Sequence, residues 1–155
     1  GKSTLLNHLT NAHSRVGAYP FTTLEPHLGD FYGHTIADIP GLISGAAAGK
    51  GLGHKFLRHV SRTKMLLHLV SLEHDNPVEQ YYTIRTELSE YDESLVKKDE
   101  WIILTKKDLV KQDFIDSVVS DLAKTENRVF VVSQEELETY KNLSDELTKY
   151  LKGVQ

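Results

Sequence analysis

Apolar residues along the chain follow two rhythms. Unbroken apolar runs at Met65 to Ser71, Trp101 to Leu104 and Val129 to Val132 predict short strands buried on both faces, as in a parallel sheet. Apolar positions three or four apart predict helices over about Val78 to Tyr91, opened by Asn76-Pro77, over Gln112 to Lys124, and over Leu143 to Leu151. Leu5, Leu6 and Leu9 give the same spacing near the start, so Lys2 to Leu9 reads as a helix, and Lys55 to Arg62 as another short one. His27 to Tyr32 and His34 to Asp38 flank Gly33 and predict a tight antiparallel hairpin. Two stretches break both rhythms. Asn11 to Pro26 is polar and carries Pro20 and Pro26, which predicts a loop; Pro40 to Gly53 holds five glycines and three consecutive alanines and predicts a mobile one. Strands alternating with helices imply an α/β domain whose parallel sheet is covered on both faces.

Composition narrows the function classes. The 155 residues suffice for one domain, with 39% hydrophobic and 26% charged residues, ordinary values for a globular protein. No apolar run approaches the roughly 18 residues of a membrane span; no secretory signal is visible, but the place where one would sit lies upstream of residue 1, so localisation by signal stays undecided. The absence of cysteine excludes disulfides and thiolate metal sites and suits a reducing compartment, so a cytoplasmic location is expected. A net charge of −4, spread without a run of one sign, gives no footprint for gripping DNA.

Candidate chemistry clusters at the ends of predicted strands, where open α/β sheets bind ligands. Gly1-Lys2-Ser3 matches the end of the phosphate-binding pattern G-x-x-x-x-G-K-[ST], whose first five positions would lie upstream of residue 1. Lys2 at a helix start would set an ammonium against phosphates, and the Ser3 hydroxyl would suit Mg²⁺, a hard cation with oxygen ligands. Asp38-Ile-Pro-Gly41 follows the second hairpin strand; a carboxylate there can hold Mg²⁺ through water, and the glycine lets a backbone N–H reach a γ-phosphate. Thr105-Lys106-Lys107-Asp108 follows the strand ending at Leu104, and Asp108 there can accept from the N1–H and 2-amino group of guanine, a donor pair adenine lacks. Each signal has an ordinary explanation as a turn or helix start. Their order along the chain is what joins them.

The stretches YPFTTLEPHLG (Tyr19 to Gly29), DIPGLISGAAAGKGLGHKFLRHVSRT (Asp38 to Thr63) and TIRTELSEY (Thr83 to Tyr91) resemble the Obg family of P-loop GTPases. The resemblance covers nearly the whole chain and implies a P-loop NTPase three-layer fold, a mostly parallel sheet with one antiparallel hairpin, and residues 1–155 as a single G domain. On that reading the first strand and the family's glycine-rich N-terminal domain are missing from this sequence. It implies a slow, Mg²⁺-dependent GTPase switch acting in assembly of the large ribosomal subunit, binding GTP or GDP, with a monovalent cation as a further candidate, and working as a monomer. Carried over by position, Gly1, Lys2, Ser3 and Thr4 bind phosphate. Phe21, Thr22 and Thr23 form a switch in which Thr23 is a second Mg²⁺ ligand, and Asp38 and Gly41 belong to the next switch. Thr105, Lys106, Asp108 and Ser133 form the base site. Lys2, Thr23 and Gly41 are the catalytic candidates, and Ser3, Thr23 and Asp38 the metal candidates.

Several positions depart from the common pattern. Leu42 stands where many GTPases carry a water-orienting glutamine, although the Obg family resembles this chain in having a hydrophobic residue there; slow unaided hydrolysis is expected. Thr105 replaces the usual asparagine of the base motif, and Gln134 follows Ser133 where the family has a small residue, so Gln134 must turn its side chain away from the base. Two rivals stand: an ATPase of the Obg-related branch, which Asp108 opposes, and a non-catalytic nucleotide-sensing, ribosome-docking module. The eight histidines do not suggest a metal site: His54 and His59 lie about 140° apart on a helix. His68 is expected to be a hydrogen-bonded core residue, and Glu87, Glu90, Asp92 and Glu93 a solvated face.

Overall fold

A computed structural model describes residues 5, 8, 9, 15, 16, 27–37, 63–91 and 93–153. Strand β1 is Arg15–Val16, β2 His27–Phe31, β3 His34–Ala37, β4 Met65–Ser71, β5 Asp99–Thr105 and β6 Arg128–Val131; the longer helices are α1 (Pro77–Tyr91), α2 (Gln112–Ala123) and α3 (Leu137–Gly153). Among the described residues the strands form two sheets: an antiparallel one in the order β1-β2-β3, and a parallel one in the order β4-β5-β6.

The parallel sheet follows from the three apolar runs. β5 is its centre, paired with β4 from Met65↔Asp99 to Ser71↔Thr105 and with β6 from Trp101↔Arg128 to Leu104↔Val131. Every β5 residue after Asp99 is buried. Successive side chains alternate between faces, so Trp101 and Ile103 join Tyr140, Leu143, Leu147 and Leu151 of α3 on one side, while Ile102 and Leu104 join Tyr81 of α1 and Ile115, Val118 and Leu122 of α2 on the other. Helix, sheet, helix is the three-layer order expected. Leu5 and Leu9, both helical, also pack into the α3 layer, as does Phe31 from the hairpin.

Local signals explain the element ends. The Asn76 side chain caps α1, accepting the Glu79 N–H at 3.1 Å while its amide donates to the Glu79 carboxylate at 3.1 Å, and Pro77 occupies the first helical position, where a missing N–H costs nothing. The hairpin turn holds Tyr32 and Gly33 at positive φ, 48° and 89°, the two-residue geometry that suits the twist of paired strands. A Cβ on Gly33 would meet nothing within 4 Å, so backbone conformation alone selects glycine there.

Three expectations need correction. The stretch Asn11 to Pro26 is not loop throughout, because Arg15 and Val16 pair with Leu28 and His27; two residues are too short a run to show any periodicity. α3 begins at Leu137, six residues ahead of the expected start, since its first turns are polar and only Tyr140 carries the apolar stripe there. Glu87 is not on a solvated face: it is buried beside Leu88, its Oε2 without a hydrogen-bond partner, while Glu90 and Glu93 are exposed as expected. Asp92 lies outside the described residues.

A polar cluster occupies the opposite end of the parallel sheet from the C-terminal strand tips. The buried Glu100 accepts from the Tyr81 hydroxyl at 2.8 Å and from Arg85 at 2.8 Å; Arg85 also donates to the Val96 carbonyl, and the Asn127 amide donates to the Tyr81 oxygen. The His68 ring stacks obliquely on Tyr81 at 4.8 Å. Its Nδ1 stands 3.8 Å from Glu100, too far for a hydrogen bond, so His68 is a core residue but its Nδ1 is unpartnered. Burial works to raise the Glu100 carboxyl, yet the neighbouring His68, the Tyr81 hydroxyl and the Arg85 charge outweigh it and hold the group below its ordinary value. Burial and the adjacent Glu100 push the Tyr81 hydroxyl up to about 12.

Candidate functional site

The C-terminal ends of β5 and β6 frame a cavity of about 250 Å³, lined by Thr105, Lys106, Asp108, Leu109, Gln134, Glu135 and Tyr140. Its floor is set by strand pairing that continues past the sheet: Leu72 donates to the Thr105 carbonyl at 3.0 Å and Val132 to the Leu104 carbonyl at 2.8 Å. Thr105 is therefore fixed and buried at the tip of β5. Lys106 then turns into the left-handed region, φ 69° and ψ 33°, before a short 3₁₀ turn over Lys107–Leu109. That conformation costs a non-glycine residue about 1–2 kcal/mol, and it reverses the chain directly after the strand, putting Asp108 at the mouth of the cavity.

Asp108 is exposed, but it is not left to wander. The Ser133 hydroxyl donates to its Oδ1 at 2.8 Å and itself accepts the Glu135 N–H at 3.1 Å. The Ser133 N–H donates to the Thr139 hydroxyl at 3.0 Å, and the Glu136 N–H returns to the Ser133 carbonyl at 3.1 Å. Lys107 pairs with Glu136 at 2.8 Å across the same two loops. The loops after β5 and β6 are thus tied together, with one Asp108 oxygen engaged. Tyr140 backs the cavity; burial first, and the Asp108 charge second, raise its hydroxyl above the ordinary value. The His8 ring stacks on Tyr140 with centroids 4.1 Å apart and planes 10° from parallel, joining the first helix to this wall.

Of the residues singled out in the sequence, Thr105, Lys106, Asp108 and Ser133 come together here, although 25 positions separate Asp108 from Ser133. Gly1, Lys2, Ser3, Thr4, Phe21, Thr22, Thr23, Asp38, Gly41 and Leu42 lie outside the described residues, as do His54, His59 and the stretches 40–53 and 55–62 for which a loop and a short helix are expected. Tyr140 and Leu109 were not anticipated. Tyr140 belongs to the apolar stripe of α3 and reads as core, and nothing in the sequence distinguishes a core tyrosine from one that also walls a cavity. Gln134 is among the residues that line the cavity. Among the described residues no helix is long and apolar enough to cross a membrane.

A carboxylate just past the end of β5, supported by a serine and preceded by a left-handed turn, sets acceptor oxygens at the cavity. The pattern of the 50S ribosome-binding GTPase family matches residues 1–107, and the chain belongs to that family of P-loop GTPases. Curated relatives include GTPase Obg proteins. That of Prochlorococcus marinus (strain MIT 9215) is 43% identical over 159 aligned positions, covering 99% of this chain and 48% of the relative. That of Wolbachia sp. subsp. Brugia malayi (strain TRS) is 52% identical over 116, covering 72% of this chain and 34% of the relative. The chain therefore spans less than half the length of these relatives.

Proposed function

We propose that the chain is the guanine-nucleotide switch domain of an Obg-type GTPase, binding GTP or GDP and hydrolysing GTP slowly. The observation that carries this reading is Asp108, held by Ser133 at the mouth of a cavity at the ends of two parallel strands. A carboxylate accepts only, so it matches the paired N1–H and 2-amino donors of guanine, a pair that adenine does not offer. The family match adds the expected activity.

Ser3, Thr23 and Asp38 offer two hydroxyls and a carboxylate, all hard oxygen donors, and fit Mg²⁺ by chemistry. The ion would neutralise charge developing on the β- and γ-phosphates. Lys2 would bind the same phosphates from the first helical turn, and Gly41 would present a backbone N–H. Leu42 can neither donate nor accept, so water must be oriented by Thr23, by backbone or by a partner, and hydrolysis by the domain alone should be slow. The family is one of 50S ribosome-binding GTPases, which supports the large subunit or its precursor as the partner, and the absence of cysteine supports a cytoplasmic location.

Titration with fluorescent GDP and Mg²⁺, competed by GTP and then by ATP, tests this reading. Displacement by GTP alone supports it; equal displacement by ATP overturns the guanine assignment in favour of the ATPase rival. Single-turnover hydrolysis with and without large ribosomal subunits separates the switch from a non-catalytic docking module, which would show no turnover in either condition.

A further inference from the structure

Tyr140 belongs to two neighbourhoods at once. It lines the cavity from the first turn of α3, and one face of its ring is covered by the ring of His8. The first helix meets α3 through a single face, since Leu5, His8 and Leu9 follow the i, i+3, i+4 spacing. Leu5 and Leu9 are ordinary core contacts, each 4% exposed within the α3 cluster. His8 is different in kind. It is exposed, so no apolar burial requires a ring there, yet its contact with Tyr140, 4.1 Å between centroids and 10° from parallel, is the closest and flattest ring pair among the described residues.

On the guanine-nucleotide reading above, the two sides of this contact serve two ends of one ligand. The sequence puts Lys2 and Ser3, the phosphate candidates, six and five residues ahead of His8, while Asp108, the base candidate, lines the cavity together with Tyr140. A nucleoside diphosphate carries base and phosphates on one covalent frame, so it gains the full benefit of both grips only where their spacing is held beforehand. We propose that His8 is a positioning residue for the nucleotide: acting through Tyr140, it sets the first helix against the wall of the base cavity, so that base and phosphates are gripped at one fixed spacing. This rests on the guanine reading.

The test compares the parent chain with His8→Ala and His8→Phe by direct titration with fluorescent GDP, followed by competition with GMP, which offers the base without a β-phosphate, and with inorganic pyrophosphate, which offers phosphates without a base. Loss of one aromatic stack should weaken GDP about fivefold in His8→Ala and leave GMP and pyrophosphate at the parent's values, because each engages one side alone. His8→Phe keeps a ring that can stack on Tyr140 and should bind GDP as the parent does. Equal losses for GDP and GMP mean that His8 only supports the cavity wall and overturn the proposal. Equal losses for all three ligands, the mark of a loosened fold, overturn it too, as does a His8→Phe variant as weak as His8→Ala. A parent that prefers GTP over ATP while His8→Ala changes nothing overturns this inference alone; a parent that takes ATP equally, or binds no guanine nucleotide, overturns the guanine reading as well.

Discussion

Asp108 lines the cavity, and one of its oxygens accepts from Ser133. Two charge-assisted bonds to guanine at about 1.5–3 kcal/mol each make the cost of Asp108→Asn at least roughly 100-fold in GDP affinity, read by fluorescent-nucleotide titration. Ser133→Ala removes the support but not the reader. It should weaken GDP only several-fold, the equivalent of about 1 kcal/mol, and the gap between the two variants measures how far Ser133 acts by orienting. Asp108 was legible from its place after a strand, whereas its partner was legible only as a weak candidate. No spacing rule connects residues 108 and 133. Thr105 and Gln134 line one cavity for the same reason: β5 and β6, whose paired residues are 27 positions apart in sequence, end side by side.

At the scale of elements, β5 organises everything else. It contributes side chains to both core clusters and its last residue opens the cavity. Leu104→Ala, at a fully buried position one residue from that cavity, should cost about 2–5 kcal/mol in urea unfolding and weaken nucleotide binding along with it. The α1 cap is separable from the site. Asn76→Ala should cost about 1 kcal/mol in the same measurement, with GDP affinity unchanged, because the cap lies on a different loop from the residues lining the cavity. Strand and helix positions were readable here since unbroken apolar runs and three-to-four spacing are strong signals. β1 and the polar first turns of α3 were not, one being too short for any period and the other carrying polar side chains where tertiary packing, not propensity, extends the helix.

For the whole molecule, Glu100 should shape the acid limb of stability, and Tyr81 and Tyr150 the alkaline limb. The Glu100 carboxyl is held below the ordinary value of 4.5, so the folded state keeps a charge that the unfolded chain gives up first on acidification. The contribution is complete above that value and is lost as pH falls through the lower folded-state value. Glu100→Gln should cost about 3 kcal/mol near neutrality, as expected for breaking a buried pair with Arg85, and should flatten the acid limb of the stability profile. The alkaline limb has the opposite origin. Tyr81 and Tyr150 keep their protons in the fold to about 12 against an ordinary 10.0, Tyr150 through burial and the Asp99 carboxylate. The unfolded chain ionises first, so stability should decline from about pH 10 and level off near 12. Urea midpoints across pH 3 to 12 check both limbs.

The sequence by itself determined the α/β class, the order of the main strands and helices, and the family, because hydrophobic period and short motifs are local and survive in one dimension. Tertiary structure alone decided that Ser133 and Thr139 brace Asp108, that Tyr140 and Gln134 wall the same cavity, that Glu87 is buried, and that Glu100 gathers Tyr81, Arg85 and His68 around it. Each of these depends on parallel strands bringing distant residues to one end of a sheet, or on the turn of a helix deciding which carboxylate faces inward. Neither is written in the spacing of residue types along the chain.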